Sequence, residues 1–306
     1  MSEVHVVGGV WSATPTPFMD DLQIDTVAVE RMVDHHLRLG VKGLFLAGTC
    51  GEGPWMTDPQ KRTLIETVVK YAKGKMQIAV QVTDNSAARV LDNIRSAKED
   101  GADIALIGPP LFLDNATPEN ILNLYVEAIR KSSLPVGIYD RGKHSNVVVP
   151  DALLPKIYAE KNVVLVKDSS ANHARRAITL EARRRRPELR LFTGNEFEVV
   201  SYLRAGYDGL LLGGAIFNAH LGRLMMDAVA AGRLSLAEKL QRRQVRMLRD
   251  VYGGKKLKCW LSGLKTLMVE MGVFRSWKSY LNYPLTPGCI KAIHRMIKAE
   301  ADVLFP

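Results

Sequence analysis

The chain has 306 residues, of which 47% are hydrophobic and 24% are charged. This composition is typical of a globular protein and excludes a disordered or fibrous one. No apolar run approaches the roughly 18 residues of a membrane span. The opening Met1-Ser2-Glu3-Val4-His5 lacks the basic and apolar regions of a secretory leader. We therefore expect a cytoplasmic protein. The net charge of +10 suits an acidic partner or an anionic small molecule.

Short apolar runs alternate with amphipathic stretches along the first part of the chain. Eight such runs occur, at residues 9–14, 43–47, 77–82, 104–108, 136–139, 163–166, 191–194 and 209–213. A strand followed by a helix, repeated in this way, predicts an α/β protein with a (β/α)₈ TIM barrel. A doubly wound open sheet is the alternative, but no Gly-x-Gly-x-x-Gly follows the first run, as it does in dinucleotide-binding sheets of that kind.

The stretches between the runs carry residues that begin and end helices. Asp25 precedes apolar residues that recur at helical spacing, and Asp58-Pro59 and Thr117-Pro118 each place a capping residue before a proline. Glycines occur where helices should end, at Gly40, Gly74, Gly101, Gly206 and Gly232. These signals predict a helix after most of the strands.

After Gly232 the alternation stops and only helical patterning remains. Apolar residues recur at helical spacing in three stretches, 236–248, 261–268 and 290–297. We therefore predict two parts: a catalytic barrel at residues 1–232, and an extension of three helices at residues 233–306 that packs on the barrel.

The sixth run leads directly into Lys167. A run this apolar and β-branched is typical of a parallel strand that is buried on both faces. Burial disfavours the charged ammonium, so the pKa of a lysine at this point should fall from about 10.4 toward neutrality. Such an amine is a nucleophile for a carbonyl substrate. The alternative is a lysine that extends from the strand end into solvent.

Two other strand ends carry groups that suit the same chemistry. The glycine-rich stretch 48–53 predicts a turn whose backbone amides bind an anion such as a carboxylate, and Thr49 adds a hydroxyl. The fifth run ends in Tyr139, which is either a proton donor or a rim tyrosine bonded to backbone. In a barrel these ends meet at one mouth. An amine, a phenol and a carboxylate site there fit imine chemistry on a ketone, without a metal or a cofactor.

No residue pattern predicts a metal site or a disulfide framework. Cys50, Cys259 and Cys289 lie far apart and form no Cys-x-x-Cys pair. His35 and His36 are adjacent in the first predicted helix and face different ways, so we expect them on the helix surface rather than on a metal. Reduced thiols fit the expected compartment.

Four consecutive arginines, residues 183–186, precede Pro187 at a predicted helix end. Cations at this end of a helix favour its dipole. No aromatic residues alternate with the arginines, as they do in many nucleic-acid-binding surfaces. We therefore expect a solvated helix end, with nucleic-acid binding as the alternative.

Five motifs follow one another along the chain: Thr14-Pro15-Thr16-Pro17-Phe18, Gly48-Thr49-Cys50-Gly51-Glu52, Ile138-Tyr139, Val166-Lys167-Asp168 and Gly194. Their order resembles the dihydrodipicolinate synthase and N-acetylneuraminate lyase family over most of the chain. The resemblance implies a (β/α)₈ enzyme, usually a homotetramer built as a dimer of dimers, that forms a Schiff base with pyruvate or another 2-oxo acid. It implies that Lys167 forms the imine, that Tyr139 shuttles protons, and that Thr49 and the Cys50 amide, beside Gly48, bind the substrate carboxylate.

The chain departs from the synthases of this family in two places. They carry a tyrosine pair after strand four, where this chain has Pro109-Pro110-Leu111-Phe112 and no phenol. They also follow the catalytic tyrosine with Asn-x-Pro-Gly-Arg, whose arginine holds the carboxylate of aspartate semialdehyde. Here the stretch reads Asp140-Arg141-Gly142-Lys143-His144, without an arginine at that offset. These departures favour a different second substrate.

Two stretches, Tyr139-Asp140-Arg141 and Ala215-Ile216-Phe217-Asn218, are similar to the keto-deoxyglucarate dehydratase branch, which handles sugar diacids. We assign Asp140, Arg141 and Gly214 to the substrate-binding group. Arg141 and its neighbours at 143–144 either meet a second carboxylate or lie on the loop surface.

Asn195 and Glu196 complete the predicted substrate-binding group. They lie on the loop after strand seven, where lyase relatives contact substrate hydroxyls, and their alternative role is to cap the next helix. The predicted function is a Schiff-base lyase that cleaves or dehydrates a keto-deoxy sugar acid. The alternatives are 4-hydroxy-tetrahydrodipicolinate (dihydrodipicolinate) synthase and a non-catalytic 2-oxo-acid-binding protein. We expect a small-molecule 2-oxo acid as partner, and neither nucleic acid nor a membrane.

Overall fold

A computed structural model describes residues 5–306, and within them eight parallel strands close into a barrel. The strands are β1 Gly9–Ala13, β2 Gly43–Leu46, β3 Gln77–Gln81, β4 Ile104–Ile107, β5 Val136–Asp140, β6 Val163–Asp168, β7 Arg190–Thr193 and β8 Gly209–Leu212. Each strand pairs with the next along the chain, and β1 pairs with β8 to close the sheet. Every strand overlaps one of the apolar runs, so the predicted (β/α)₈ fold is confirmed. Residues 1–4, which bear on the expected absence of a leader, lie outside the described residues.

Helices lie between the strands and continue after the last one. They are α1 Thr26–Arg38, α2 Asp58–Ala72, α3 Ala87–Glu99, α4 Pro118–Lys131, α5 Leu154–Tyr158, α6 His173–Arg185, α7 Val199–Arg204, α8 Ala215–Ala230, α9 Leu234–Tyr252, α10 Trp260–Glu270, α11 Pro287–Ala299 and α12 Ala301–Leu304. Asp25 and Thr117 cap α1 and α4 as predicted. The cap of α2 is Thr57 rather than Asp58, because Thr57 and Gln60 form a reciprocal capping box. The five predicted stop glycines all have φ between 69° and 100°.

Large apolar side chains fill the barrel interior. The rings of Trp11 and Phe192 pack with their centres 5.3 Å apart. Gly43 and Gly209 leave room for these rings, since a Cβ atom at either position would overlap one of them. Because the interior is packed, the carboxyl ends of the strands are the part of the barrel that can receive a substrate.

His35 and His36 lie on the inner side of α1, so the prediction that they lie on the helix surface is wrong. They are 3% and 0% exposed. The Nε2 atom of His35 lies 2.7 Å from the carbonyl oxygen of Ile216, and the two ring nitrogens of His36 lie 2.7 Å from the Met32 carbonyl and 2.9 Å from the Ser12 hydroxyl. Burial lowers the pKa of His35 to about 4 and that of His36 to about 3. Both rings are therefore neutral groups that hydrogen-bond the helix to the barrel.

The helices that follow the barrel pack against it. The helix α8 ends at Ala230 and α9 begins at Leu234, on either side of the predicted boundary. Both α9 and α12 contact α8. Arg275, between α10 and α11, binds the carboxylate of Asp25 at the start of α1 through two 2.6 Å hydrogen bonds. The extension therefore reaches the part of the barrel where the loops after the strands lie.

The arginine run at the end of α6 divides into two environments. The side chains of Arg184 and Arg185 are 78% and 73% exposed, as expected for a solvated helix end. Arg183 pairs with Asp208, and Arg186 donates to three backbone carbonyls at the end of α5 and just after it. Half of the run therefore joins α6 to its neighbours.

The three cysteines are free and buried. Within residues 5–306, no helix combines the length and the apolarity that a membrane crossing needs. The same residues hold no group of three or more His, Cys, Asp or Glu side chains placed to bind a metal ion.

Candidate active site

Lys167 and Tyr139 lie side by side at the carboxyl ends of β6 and β5. They are direct register partners in this parallel pair, so their side chains point to the same face of the sheet. That face is the barrel interior, where Tyr139 packs. The Nζ atom of Lys167 lies 4.2 Å from the centre of the Tyr139 ring and 4.6 Å from that of Phe45. The structure thus brings together the amine and the phenol predicted from the sequence.

The Lys167 side chain is enclosed by these rings and does not extend into solvent. The residue is 4% exposed. Burial lowers the pKa of Lys167, and the nearby Tyr139, Cys50 and Glu196 only partly oppose this effect. A lowered pKa increases the fraction of neutral amine, which is the form that attacks a carbonyl carbon.

The Tyr139 phenol is polarised by its neighbours. Burial alone would raise its pKa, but the charges of Lys167 and Arg141 and the hydroxyls of Thr49 and Ser169 outweigh burial, so the pKa of Tyr139 lies below its ordinary value. The ring packs edge-on against Phe45, with the ring centres 5.8 Å apart, which fixes its orientation. A phenol with a lowered pKa releases and recovers a proton more readily at neutral pH.

The glycine-rich turn between β2 and α2 carries Thr49 and Cys50. The Thr16 hydroxyl donates to the Gly51 carbonyl at 2.7 Å, and the Glu52 amide donates to the Thr49 carbonyl at 3.2 Å. Among residues 5–306, no protein group accepts a hydrogen bond from the backbone amides of Thr49 and Cys50. Those two amides can therefore bind an anion, as the sequence predicts.

Gly194 lets the chain after β7 pass close to the lysine. A Cβ atom there would overlap the Ser169 hydroxyl and would lie 3.2 Å from the Cε atom of Lys167. Gly48 plays a similar part in the turn after β2, where a Cβ atom would lie 2.7 Å from the Phe45 ring. Both glycines therefore make space for the side chains of the site.

The carboxyl group of Glu196 lies on the loop after β7, within electrostatic reach of Lys167. The Gly214 amide donates to its Oε2 atom at 2.7 Å, and the Tyr252 phenol donates to its Oε1 atom at 3.3 Å. Burial raises the pKa of Glu196 to about 7, although these bonds and the Lys167 charge act in the opposite direction. Near neutral pH such a carboxyl group both donates and accepts hydrogen bonds.

Tyr252 is not among the residues that the sequence predicts for the site. It lies at the end of α9 and is 1% exposed. A tyrosine in an amphipathic helix is ordinarily a core residue, and the position of Tyr252 beside Glu196 depends on how the extension docks. No local sequence signal could have identified it.

Cys50 contributes its backbone amide rather than a reactive thiolate. Burial raises the pKa of the Cys50 thiol to about 12, with a further contribution from the Glu196 charge. The thiol therefore stays protonated at neutral pH.

Asp140 faces away from Lys167. It follows Tyr139 on β5, so its side chain points to the opposite face, toward the helices. Arg175 of α6 donates to its Oδ1 atom at 2.6 Å, and the Gly142 amide donates to the same atom at 2.9 Å. This orientation argues against the substrate contact predicted for Asp140. Arg175, which the sequence does not single out, is 4% exposed and supports the strand from outside.

Comparison with known proteins agrees with this geometry. The model of the Dihydrodipicolinate synthetase family matches residues 6–298. The chain belongs to the dihydrodipicolinate synthetase family. It is 27% identical over 277 residues to the 4-hydroxy-tetrahydrodipicolinate synthase of Chlorobium phaeovibrioides, covering 90% of both chains. It is 31% identical over 207 residues to the enzyme of the same name from Kosmotoga olearia, covering 66% of this chain and 69% of that one.

Solved structures show the same fold. The dihydrodipicolinate synthase of Thermotoga maritima superimposes with a TM-score of 0.87 at 21% identity, covering 97% of this chain and 99% of that one. A monomeric dihydrodipicolinate synthase variant superimposes with a TM-score of 0.86 at 22% identity, covering 97% of each chain.

Membership of the dihydrodipicolinate synthetase family makes the protein a Schiff-base lyase of the class I aldolase type. The curated relatives described above are both 4-hydroxy-tetrahydrodipicolinate synthases. The comparisons therefore favour the synthase alternative over the keto-deoxy sugar acid that the sequence departures favour.

One departure from the family synthases is visible on the loop after β4. Leu111 and Phe112, which occupy the stretch where the family resemblance leads us to expect phenols, are 43% and 67% exposed. Neither side chain has a hydroxyl, so neither can pass on a proton.

The remaining predicted substrate-binding residues differ in their surroundings. Arg141 is half-buried, and its charge acts on Tyr139, whereas the next two basic residues, at 143–144, are exposed. The Asn195 side chain accepts from the Phe197 amide at 3.2 Å and lies 3.3 Å from Glu198. Arg141 is therefore placed near the chemistry, and Asn195 shapes its own loop.

Proposed function

We propose that this family member forms an imine between Lys167 and a 2-oxo acid, with pyruvate as the simplest substrate. The observation that carries the proposal is the buried Lys167 amine packed against the Tyr139 ring. Burial lowers the pKa of that amine, and the anion-binding turn with Thr49 belongs to the same barrel mouth.

The proposed mechanism assigns a task to each group. The backbone amides of Thr49 and Cys50, with the Thr49 hydroxyl, bind the substrate carboxylate. The neutral amine of Lys167 attacks the C2 carbonyl carbon, and Tyr139 donates the proton that lets water leave the carbinolamine. The resulting protonated imine withdraws electrons from C3, so that loss of a C3 proton gives an enamine.

We infer that the enamine carbon then bonds to an aldehyde, as in a 4-hydroxy-tetrahydrodipicolinate synthase. Relatives with that name align with this chain over as much as 90% of its length, which supports this reaction first. In such a condensation the enamine carbon forms the new bond and the aldehyde oxygen takes a proton. The amino group of the aspartate semialdehyde then attacks C2 and displaces the lysine nitrogen, which closes the ring and releases the product.

A second candidate is the cleavage or dehydration of a keto-deoxy sugar acid, which passes through the same imine. Two observations favour it: Leu111 and Phe112 replace the phenols of the synthases, and Glu196 has a pKa of about 7 close to Lys167. A carboxyl group in that state suits the hydroxyls of a sugar acid, since it donates and accepts hydrogen bonds.

The two reactions are separated by a pair of assays on the same preparation. In the first, pyruvate and aspartate semialdehyde are supplied and pyruvate loss is measured. In the second, keto-deoxy sugar acids are supplied, and release of pyruvate or formation of 2-oxoglutarate semialdehyde is measured. Turnover in the first assay alone supports the synthase. Turnover in the second alone supports the sugar-acid lyase, and a Lys167→Arg variant should be inactive in both.

We infer a homotetramer for the assembled enzyme. Trp55, Leu111 and Phe112 are large apolar side chains on loops after β2 and β4, and each is more than two-fifths exposed, which supports contacts with a further copy. Sedimentation velocity tests this assembly. A monomer at micromolar concentration would contradict it. A monomeric state is a real alternative, because one protein of similar structure is a monomeric dihydrodipicolinate synthase variant.

A further inference from the structure

A buried carboxylate closes the glycine-rich turn that carries Thr49. Glu52 is 0% exposed, and its backbone adopts a left-handed conformation with φ of 59°. This conformation is uncommon for a residue other than glycine and persists where surrounding contacts hold it. The contacts that hold Glu52 come from the C-terminal extension.

Lys265 of α10 supplies the charge that balances this carboxylate. Its Nζ atom lies 2.5 Å from Oε1 of Glu52, and both side chains are 0% exposed. The same ammonium donates to the Lys278 carbonyl at 2.7 Å and lies 4.5 Å from the centre of the Phe18 ring. The ion pair is therefore fully desolvated and has a fixed geometry.

The second carboxylate oxygen is bound by the segment at residues 275–281, which we call the strap. The Ser279 hydroxyl donates to Oε2 of Glu52 at 2.8 Å, and the amides of Tyr280 and Leu281 donate at 2.7 Å and 3.4 Å. The strap is itself fastened to the barrel, because the Tyr280 phenol donates to Gln60 of α2 at 3.0 Å. The carboxylate thus joins the strap to the turn.

The link from this carboxylate to the catalytic turn is short. The Glu52 amide donates to the Thr49 carbonyl at 3.2 Å, and the Gly53 amide donates to the Gly48 carbonyl at 3.2 Å. A change in the position of Glu52 therefore moves the backbone that presents the free amides of Thr49 and Cys50.

We propose that Lys265 and the strap hold Glu52 so that the Thr49 turn is shaped to bind the carboxylate of a 2-oxo acid, which makes Lys265 a positioning residue. This inference rests on the proposed function, because it assumes that the turn binds substrate. It assigns the C-terminal extension a direct part in the site.

A gain in stability alone does not explain the buried ion pair between Lys265 and Glu52. Replacing a buried ion pair by apolar side chains is often neutral or stabilising, because desolvation of the two charges offsets their attraction. A fixed geometry, by contrast, requires directional bonds, and Glu52 accepts three of them from the strap in addition to its ion pair with Lys265. The number and direction of these bonds fit a positioning role.

The test compares variants that reach Glu52 with variants that do not. Lys265→Met removes the counter-charge. Ser279→Ala removes the hydroxyl that donates to Glu52 and accepts from the Leu281 amide, with a smaller risk to folding. Thr266→Ala is the matched control for a lost hydroxyl in α10, because the Thr266 hydroxyl donates to the Ser262 carbonyl at 2.7 Å and not to Glu52. Arg243→Met is the control for a lost cation in the extension, since Arg243 pairs with Glu300 and Asp302 away from the turn.

Each variant is incubated with pyruvate at increasing concentrations, and the imine is trapped with borohydride. We expect the pyruvate concentration for half-maximal trapping to rise about tenfold in Lys265→Met and less in Ser279→Ala, because small displacements of binding groups have effects of this size. The maximal extent of trapping should change little, since Lys167 is untouched. Thr266→Ala and Arg243→Met should match the wild type.

The inference is overturned if folded Ser279→Ala and Lys265→Met trap pyruvate at wild-type concentrations. It is also overturned if Arg243→Met or Thr266→Ala shifts the concentration as much, because the effect then comes from a general loss of stability in the extension. If Lys265→Met does not fold, the comparison of Ser279→Ala with Thr266→Ala decides the matter alone. Absence of trapping in the wild-type protein is a different result, which contradicts the proposed function and removes the basis of this inference.

Discussion

The amine of Lys167 lies 4.2 Å from the centre of the Tyr139 ring because the two residues are register partners on neighbouring parallel strands. Strand pairing therefore fixes the distance between the proposed nucleophile and the proposed proton shuttle. A site held by two strands of a closed barrel is more rigid than one held by loops.

Replacing Tyr139 with phenylalanine should separate binding from proton transfer. The ring packing against Phe45 is kept, so we expect little change in stability. Loss of the hydroxyl should lower kcat by about a hundredfold or more, which is the usual contribution of general acid–base catalysis. Steady-state kinetics together with thermal unfolding check this prediction. An unchanged kcat would remove Tyr139 from the mechanism.

The raised pKa of Glu196 should make stability depend on pH. Between the ordinary pKa of 4.5 and the native value of about 7, the native state keeps a proton that the unfolded state has released. The free energy of unfolding should therefore fall as pH rises through this window. Glu196→Gln cannot release a proton, so its urea midpoint should vary less with pH over the same range. Equal pH dependence in both proteins would contradict the assignment.

Gly194 should not tolerate even one added carbon. In Gly194→Ala the methyl group would overlap the Ser169 hydroxyl and crowd Cε of Lys167. We expect the rate of borohydride trapping with pyruvate to fall about tenfold or more. Gly288→Ala is the matched control, since its nearest heavy atom is 4.0 Å away. Similar rates for both variants would show that this close approach has no part in the chemistry.

Arg175 should matter for stability more than for catalysis. Arg175→Met leaves the carboxylate of Asp140 buried without its partner, which costs about 3–5 kcal/mol of unfolding free energy. Arg176→Met, on the same helix, loses an exposed bond to Ser201 and the contact of its guanidinium with the Tyr202 ring, and should cost about 1 kcal/mol or less. Chemical unfolding measures both values. A small loss for Arg175→Met, with a raised KM, would instead return Asp140 to the substrate-binding group.

The fold and the centre of the site could be predicted because both follow from local pattern. Each strand is a short apolar run, and inward-facing side chains at the carboxyl end of a barrel strand lie at the mouth. Lys167, Tyr139 and the Thr49 turn all follow from that rule, as does the family resemblance that their order produces.

The residues that support the site could not be predicted, because their contacts depend on docking. Lys265 and Tyr252 lie in helices whose patterning indicates only that one face is buried. His36 was expected on a helix surface, but its ring bonds to Ser12 inside the protein. Asp140 was expected to bind substrate, but strand alternation turns it toward Arg175. In each case the partner lies far away in sequence.

The most direct measurement of the central claim is the site of the borohydride adduct. The protein is treated with pyruvate and borohydride, digested, and mapped by mass spectrometry. The account predicts one adduct, on the peptide that carries Lys167, and none in Lys167→Arg. An adduct on another lysine, or no adduct in the folded wild-type protein, would contradict it.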